Sequence, residues 1–429
     1  MQNTSKYTNL EDLIIDGKKL IDEGNTDYEN IKINPNEMKI LLFTSGTTGN
    51  SKAVMLSHKN ICSNIVSIAS IVKVDNSTRV LSILPLHHTY ECTIGYLLVV
   101  YGGGTICYCE GLRYITKNIQ EYKPTFILCV PLLLENVYKK VIKTLKTSLP
   151  EKYTKDESRI IDNLPFYLKV IVKRKVKKSL GGKIKTFIVG AAAIKPDLVE
   201  AFFKLGIKVL QGYGLTECSP LVAGNNDFYY KAESCGMPIP NVEYKIDNPN
   251  DEGIGEIIVK GTNVMLGYYE NKEATEKVLK NGWFHTGDLG YIDDDEFLYI
   301  SGRSKNMILT KNGENIYPEE IENILNDDDL IEESLVIGTS NGKDDVQVKA
   351  KIFPNIEAIK EYLGNKFPTK EEISKILNEA VKKANAKLPN FKHIKSFKIM
   401  DEDFERTTTN KVKRFGKNVE DDDSKGKWL

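Results

Sequence analysis

Short apolar runs separated by longer segments with apolar residues every three or four positions set the texture of the first 240 residues. The runs are Ile40-Leu41-Leu42-Phe43, Val80-Leu81-Ser82-Ile83-Leu84, 105–109, 126–130, 185–189 and Lys208-Val209-Leu210. Continuous runs of this length read as buried strands, and the periodic segments between them as helices. One helix is expected from Ser57 to about residue 70, with Ile61, Ile65, Ile68 and Ala69 as its inner stripe. A shorter one is expected at 10–23, with Leu13, Ile14 and Leu20 on one side. Strands alternating with helices at this spacing predict an α/β fold with a doubly wound, mostly parallel sheet.

From Gly236 the pattern changes to hairpins at 242–246, 255–259 and 297–300, a β-rich subdomain. The polar, glycine-bearing Ser301-Gly302-Arg303-Ser304-Lys305 is expected to be a hinge, centred on Lys305. Beyond it a compact α+β module follows: a helix at 318–325, strands at 335–337 and 346–352, and an amphipathic helix at 370–386. The expected organisation is a large domain over 1–300, the hinge over 301–305, a small mobile domain over 306–417 and a frayed acidic tail over 418–429.

Composition narrows the function classes. Lys and Arg total 59 and Asp and Glu 59, so no global field points to nucleic acid. Seven dispersed cysteines without Cys-x-x-Cys spacing read as a reduced, cytoplasmic inventory. Five histidines without His-x-x-x-His spacing argue against a dedicated transition-metal centre. The first twenty residues lack an apolar signal core, and no apolar run approaches the roughly 20 residues of a membrane span. Between Lys169 and Lys185 stand eight basic residues and no acidic one, interleaved with Val170, Ile171, Val172, Val176 and Leu180. Such a segment either lies peripherally on anionic lipid at the inner face of a membrane or is the solvated face of an ordinary helix.

The candidate chemistry sits at strand ends. Thr44-Ser45-Gly46-Thr47-Thr48-Gly49-Asn50-Ser51-Lys52 follows the first apolar run. Small residues there let backbone N–H groups approach an anion, and the hydroxyls add donors, so the loop is either a polyphosphate cradle or a glycine-rich turn. It is not a P-loop, because Ser51 stands at the second glycine position and Ala53 follows Lys52. His87 and His88 follow Pro85 on a loop at a strand's carboxyl end, the ligand edge of open α/β sheets. Gly190-Ala191-Ala192-Ala193 leaves room for a flat ligand. In Gly212-Tyr213-Gly214-Leu215-Thr216-Glu217 an aromatic face lies between two glycines, and a hydroxyl and a carboxylate suited to phosphate and Mg²⁺ follow. Asp288, in Thr286-Gly287-Asp288, is expected on a turn between strands, where it either binds sugar hydroxyls or closes an Asx-turn.

In their order, these segments resemble the signature of the adenylate-forming, AMP-binding superfamily. The matching stretches are 44–52, 84–88, 190–193, 212–217, 286–288, 302–305 and Lys411. Residues 306–322 are most similar to bacterial long-chain fatty acyl-CoA synthetases. The resemblance implies ATP-dependent activation of a fatty acid to acyl-AMP, followed by transfer to coenzyme A. The alternatives are an acyl-AMP ligase serving a carrier protein, or a nucleotide-binding remnant without turnover. By the resemblance, Thr44, Ser45, Gly46, Thr47, Thr48, Gly49 and Lys52 hold the β- and γ-phosphates of ATP. Gly190, Ala191 and Ala192 border the adenine, Tyr213 stacks on it between Gly212 and Gly214, and Asp288 and Arg303 hold the ribose. Thr216 contacts the α-phosphate, Glu217 binds Mg²⁺, and Lys411 bridges the carboxylate and α-phosphate until rotation about Lys305 withdraws it. His88 gates the acyl site and Gly313 lines the thiol tunnel.

Two features depart from the family pattern. Asn410 stands where a glycine commonly precedes the late lysine, and the phosphate loop begins unusually early. The large domain is therefore expected to be N-terminally truncated, with exposed sheet edges that call for a complementing chain or a homodimer.

Overall fold

Side chains alternate across a strand, so a continuous apolar run presents something to bury on each face. The computed structural model, which describes residues 9–44, 52–154, 160–192, 194–310, 314–340, 346–406, 412–420 and 428–429, meets that demand on both faces. Its largest sheet has seven strands. Thr105–Tyr108, Arg79–Ser82, Phe126–Cys129, Thr186–Val189 and Lys208–Gly214 lie side by side in parallel, and Leu221–Gly224 and Met237–Pro238 follow in antiparallel.

Val80, Phe126, Leu128, Ile188 and Leu210 face one core, together with Ile61, Ile65 and Ile68 of the helix His58–Ile71. Leu81, Ile127, Cys129, Phe187, Val189 and Val209 face the other, against the helices Pro131–Ser148, Phe166–Ser179 and Pro196–Lys204. Burying one such side chain stabilises by about 1.5–3 kcal/mol, which ties both faces of these runs to the sheet. The doubly wound, mostly parallel architecture agrees with the expectation.

The first apolar run does not join this sheet. Met38–Thr44 pairs antiparallel with Lys52–Ser57, which pairs in turn with Gly267–Tyr268. The expected buried strand is thus an edge strand, and Phe43 is 71% exposed. Four apolar residues in a row signal a strand but not the layer it enters. The β-rich part forms a five-stranded sheet from Val242–Asp247, Gly255–Gly261, Leu279–Lys280, Trp283–Ile292 and Leu298–Arg303. Ser301 to Arg303 continue the last of these strands, so irregular backbone begins at Ser304 rather than Ser301.

The C-terminal part builds its own core on the strands Ile331–Ser340, Val346–Pro354 and Ser396–Ile399 and the helices Pro318–Leu325 and Lys370–Asn385. Thr369 and Glu372 cap the second helix reciprocally, which sets its start. Lys195 reaches this part through an ion pair with Asp327 at 3.1 Å. The chain end is not frayed throughout, because Leu429 and Phe397 exchange backbone hydrogen bonds of 2.8 and 3.1 Å. Residues Met1–Glu37 form a unit of their own. Its helix Leu10–Asp22 starts at Asn9, whose side chain accepts from the Glu11 N–H, and none of its residues is buried.

Candidate active site

The strand Lys208–Gly214 delivers the centre of the site. Gly212, Tyr213 and Gly214 complete that strand, and Thr216–Cys218 is a single 3₁₀ turn beyond it. Glycine is required by close approach: a Cβ on Gly214 would lie 2.3 Å from the Pro220 carbonyl oxygen, and one on Gly212 would lie 2.8 Å from Leu221 Cδ1.

Tyr213 is nine-tenths buried, and its hydroxyl donates to Asp288 Oδ2 at 2.8 Å. Arg303 Nε donates to Asp288 Oδ1 at 2.9 Å. Asp288 does not sit on a turn; it lies within the strand Trp283–Ile292, directly opposite Arg303 on the neighbouring strand. Cross-strand pairing therefore joins residues that stand fifteen positions apart in the sequence. Glu256 supports the arrangement from the next strand, accepting the Gly287 N–H at 2.9 Å and holding His285 Nδ1 at 2.8 Å. The carboxylate of Asp288 keeps unused lone pairs toward hydroxyl donors.

A second cluster links Glu217 to the base of the first loop. Tyr268 donates its hydroxyl to Glu217 Oε1 at 3.0 Å, and the Lys52 ammonium lies 4.5 Å from the centre of the Tyr268 ring. Thr44 pairs with Lys52 across the hairpin, and its hydroxyl donates to the Lys52 carbonyl at 3.4 Å. Burial pushes the Glu217 carboxyl above its usual range, while the Tyr268 hydroxyl and the charge of Arg303 pull it back and Asp288 adds to the rise. The two clusters thus share one electrostatic environment. A carboxylate whose charge is strained by burial gains from a cation beside it, and a hard carboxylate is a ligand type that Mg²⁺ takes.

The 86–90 loop closes one side. The Thr89 hydroxyl donates to the Thr216 hydroxyl at 3.5 Å, and Tyr90 donates to the Ile188 carbonyl at 2.9 Å. Tyr90 also packs on Gly190, where a Cβ would stand 3.2 Å from the ring. His88 lies against His87, with ring centres 4.2 Å apart; burial, then the neighbouring ring, lowers its pKa and favours the neutral imidazole. Ala191 adopts φ 73°, a left-handed conformation that costs a residue with a Cβ, and backbone strain of this kind clusters at functional sites.

The structure brings together Thr44, Lys52, His88, Gly190, Gly212, Tyr213, Gly214, Thr216, Glu217, Asp288 and Arg303, with Ala191 and Ala192 exposed after the strand that ends at Val189. Lys305 follows Arg303 by two residues, where the Ser304 N–H donates to the Gly287 carbonyl at 2.9 Å. Ser45, Gly46, Thr47, Thr48, Gly49, Ala193, Gly313 and Lys411 lie outside the described residues. Sequence reading missed Tyr268, Thr89 and Glu256. Tyr268 lies on a two-residue strand too short to carry a period, and Glu256 looks like any polar position in a hairpin.

Comparison with known proteins shows the family of the chain. The family model described as AMP-binding enzyme matches residues 3–269, and the AMP-binding enzyme C-terminal domain matches residues 305–419. A long-chain-fatty-acid–CoA ligase of Escherichia coli is 32% identical over 75% of this chain and 54% of its own length. A chloroplastic long-chain-fatty-acid–acyl-carrier-protein ligase of Arabidopsis thaliana is 30% identical over 77% of this chain and 53% of its own. The o-succinylbenzoate CoA synthetase of Bacillus subtilis, solved with its acyl-adenylate intermediate, superposes with a TM-score of 0.71 at 25% identity, covering 92% of this chain and 71% of that one. The chain spans about half the length of the curated relatives it matches.

Proposed function

We propose that this chain, which belongs to the AMP-binding enzyme family, activates a long-chain fatty acid with ATP and transfers the acyl group to coenzyme A. The observation that carries the reading is the convergence of Tyr213, Asp288 and Arg303 with Lys52, Tyr268 and Glu217 around the end of one strand. In the first step the acid's carboxylate oxygen bonds to the α-phosphorus of ATP and the bond to pyrophosphate breaks. In the second, the thiol sulfur bonds to the acyl carbon, AMP leaves with the electron pair, and the thiol proton passes to solvent.

Each described group has a part in this scheme. The Tyr213 ring and the Gly190–Ala192 backbone flank the adenine, and Asp288, fixed by Arg303, accepts from ribose hydroxyls. Thr216 donates to the α-phosphate, and Lys52 with Thr44 sits at the base of the triphosphate loop. Glu217 would hold Mg²⁺, which supplies charge neutralisation to the phosphates. Neutral His88 borders the acyl entrance. Lys411 would neutralise charge that builds between carboxylate and phosphorus, a task for a point cation on a long stem. A partner chain or a second copy would cover the exposed edge around Phe43, and light scattering of the purified protein reads that assembly state directly.

The test is pyrophosphate release and acyl-CoA formation by the purified chain with ATP, Mg²⁺, fatty acid and coenzyme A. Release that depends on the acid, and falls by about 10²-fold or more in Lys411→Ala, is expected. Binding of ATP with no release at saturating acid would leave a nucleotide-binding remnant and end the proposal. The likeness to the carrier-protein ligase favours one second reading, in which acyl-AMP forms but only a carrier-protein thiol is acylated.

A further inference from the structure

The basic stretch 169–185 takes no part in the site described above. It belongs to the opposite edge of the large sheet. Ser77, Thr125 and Lys185 lie just before the strands Arg79–Ser82, Phe126–Cys129 and Thr186–Val189, which are neighbours. The candidate active-site segments leave the carboxyl ends of the same sheet. At the amino-end edge Ser77, Thr125, Lys177, Gly182, Lys183, Ile184 and Lys185 line an open cleft of about 400 Å³.

The helix Phe166–Ser179 borders this cleft and has an unusual outer face. It anchors to the core through Val172 and Val176. Its other side exposes Phe166 at 83%, Tyr167 at 62% and Ile171 at 45%, beside the exposed Lys173, Arg174, Lys175 and Lys178. Tyr167, Ile171, Arg174 or Lys175, and Lys178 follow one another at three- or four-residue spacing, so they form one stripe. No acidic residue occurs from 163 to 196. Among the described residues the acidic side chains find cations elsewhere: Asp162 pairs with Lys204 and Asp227 with Lys208, while none of the eight basic residues between 169 and 185 joins an ion pair.

An ordinary solvated helix face has no use for two exposed aromatic rings next to uncompensated cations. The pairing of the two is what an anionic lipid surface accommodates, with rings and aliphatic stems at the headgroup level and the charges against phosphates. No helix among the described residues is long and apolar enough to cross a membrane, so the contact is peripheral. From charge complementarity and the exposed stripe of Tyr167, Ile171 and cations, with Phe166 exposed beside it, we infer that the helix Phe166–Ser179 and the lysine-lined cleft beside it dock this protein on an anionic phospholipid membrane. Lipid phosphates would meet Lys177, Lys183 and Lys185, while the Ser77 and Thr125 hydroxyls at the cleft donate to Asp75 Oδ1 at 2.6 Å and the Arg79 carbonyl at 3.3 Å. The inference does not rest on acyl activation, and this docking leaves the opposite, carboxyl-end edge of the sheet uncovered.

The test is co-sedimentation of the full chain with vesicles of phosphatidylcholine alone or with about one third phosphatidylglycerol, at low and moderate salt. Binding to the anionic vesicles at least about tenfold tighter than to neutral ones is expected, and weaker as salt rises. Lys173→Glu with Arg174→Glu and Lys175→Glu, all at exposed positions, should remove that preference while the thermal midpoint holds. Phe166→Ser with Tyr167→Ser should remove the binding that survives moderate salt. Equal binding to both vesicle types, retention of the preference in the triple variant, or binding to a short DNA duplex in place of vesicles would each overturn the inference.

Discussion

Glu91 gives the sharpest quantitative test of the packing around the site. It lies in the π-helical turn Tyr90–Leu97, fully buried; Oε1 accepts from the Ser82 hydroxyl at 2.6 Å and Oε2 has no partner among the described residues. Gly95 makes room for it, since a Cβ there would stand 2.7 Å from the Glu91 carboxyl carbon. Burial pushes the carboxyl up to about 7 from 4.5, against the opposing pull of the Ser82 hydrogen bond.

The folded protein therefore holds this proton more tightly than the unfolded chain does. Stability contributed by the neutral acid is complete below pH 4.5, falls as pH rises from 4.5 to about 7, and is lost above that. Relative to the fully protonated condition, stability is thus lower by about 3 kcal/mol at pH 8, but by only about 1 kcal/mol at pH 5, where the unfolded chain alone ionises. Glu91→Gln removes the titration. Its amide leaves an N–H at the unpartnered position, which is a constant cost at every pH, so the useful quantity is a difference of differences. Relative to the parent, the variant should gain about 2 kcal/mol between pH 5 and pH 8. Urea unfolding of both proteins at pH 5, 6 and 8 reads this from the midpoints. Parallel pH profiles would refute the buried, protonated carboxyl.

Two further expectations concern the nucleotide side. Asp288→Asn keeps an acceptor for Tyr213 but loses the charge facing Arg303, so ATP affinity measured by calorimetry should fall by about tenfold or more with little change in thermal midpoint; unchanged affinity would remove Asp288 from the site. Gly214→Ala places a methyl 2.3 Å from a backbone oxygen that also accepts the Leu215 N–H, so the strand must shift, at a cost of about 1–3 kcal/mol. A melting temperature equal to the parent's would contradict that close approach.

Much of the fold was legible because the runs at 80–84, 105–109, 126–130 and 185–189 are short and mostly apolar, the pattern of strands covered on both faces. The helix His58–Ile71 announced itself through Ile61, Ile65 and Ile68, and its capping residue Ser57 stood where a helix start needs one. The layer of the first strand was not legible, because Phe43 and Val80 look alike to a hydropathy pattern although one is exposed and the other buried. The exposed helix Leu10–Asp22 shows the same limit: its periodicity predicted the helix but not whether anything covers Leu13 or Ile14.

For the site, the residue types pointed to candidate chemistry: glycines where backbones approach, a carboxylate after a hydroxyl, an aromatic between glycines. Those choices are local, and a sequence records local requirements directly. Only the tertiary structure decided which groups meet. Asp288 finds Arg303 through antiparallel register, Tyr213 reaches Asp288 from a different sheet, and Tyr268 joins Lys52 to Glu217 through a two-residue strand. Register and sheet order depend on contacts between residues far apart in the chain, and those contacts have no periodic trace in the sequence.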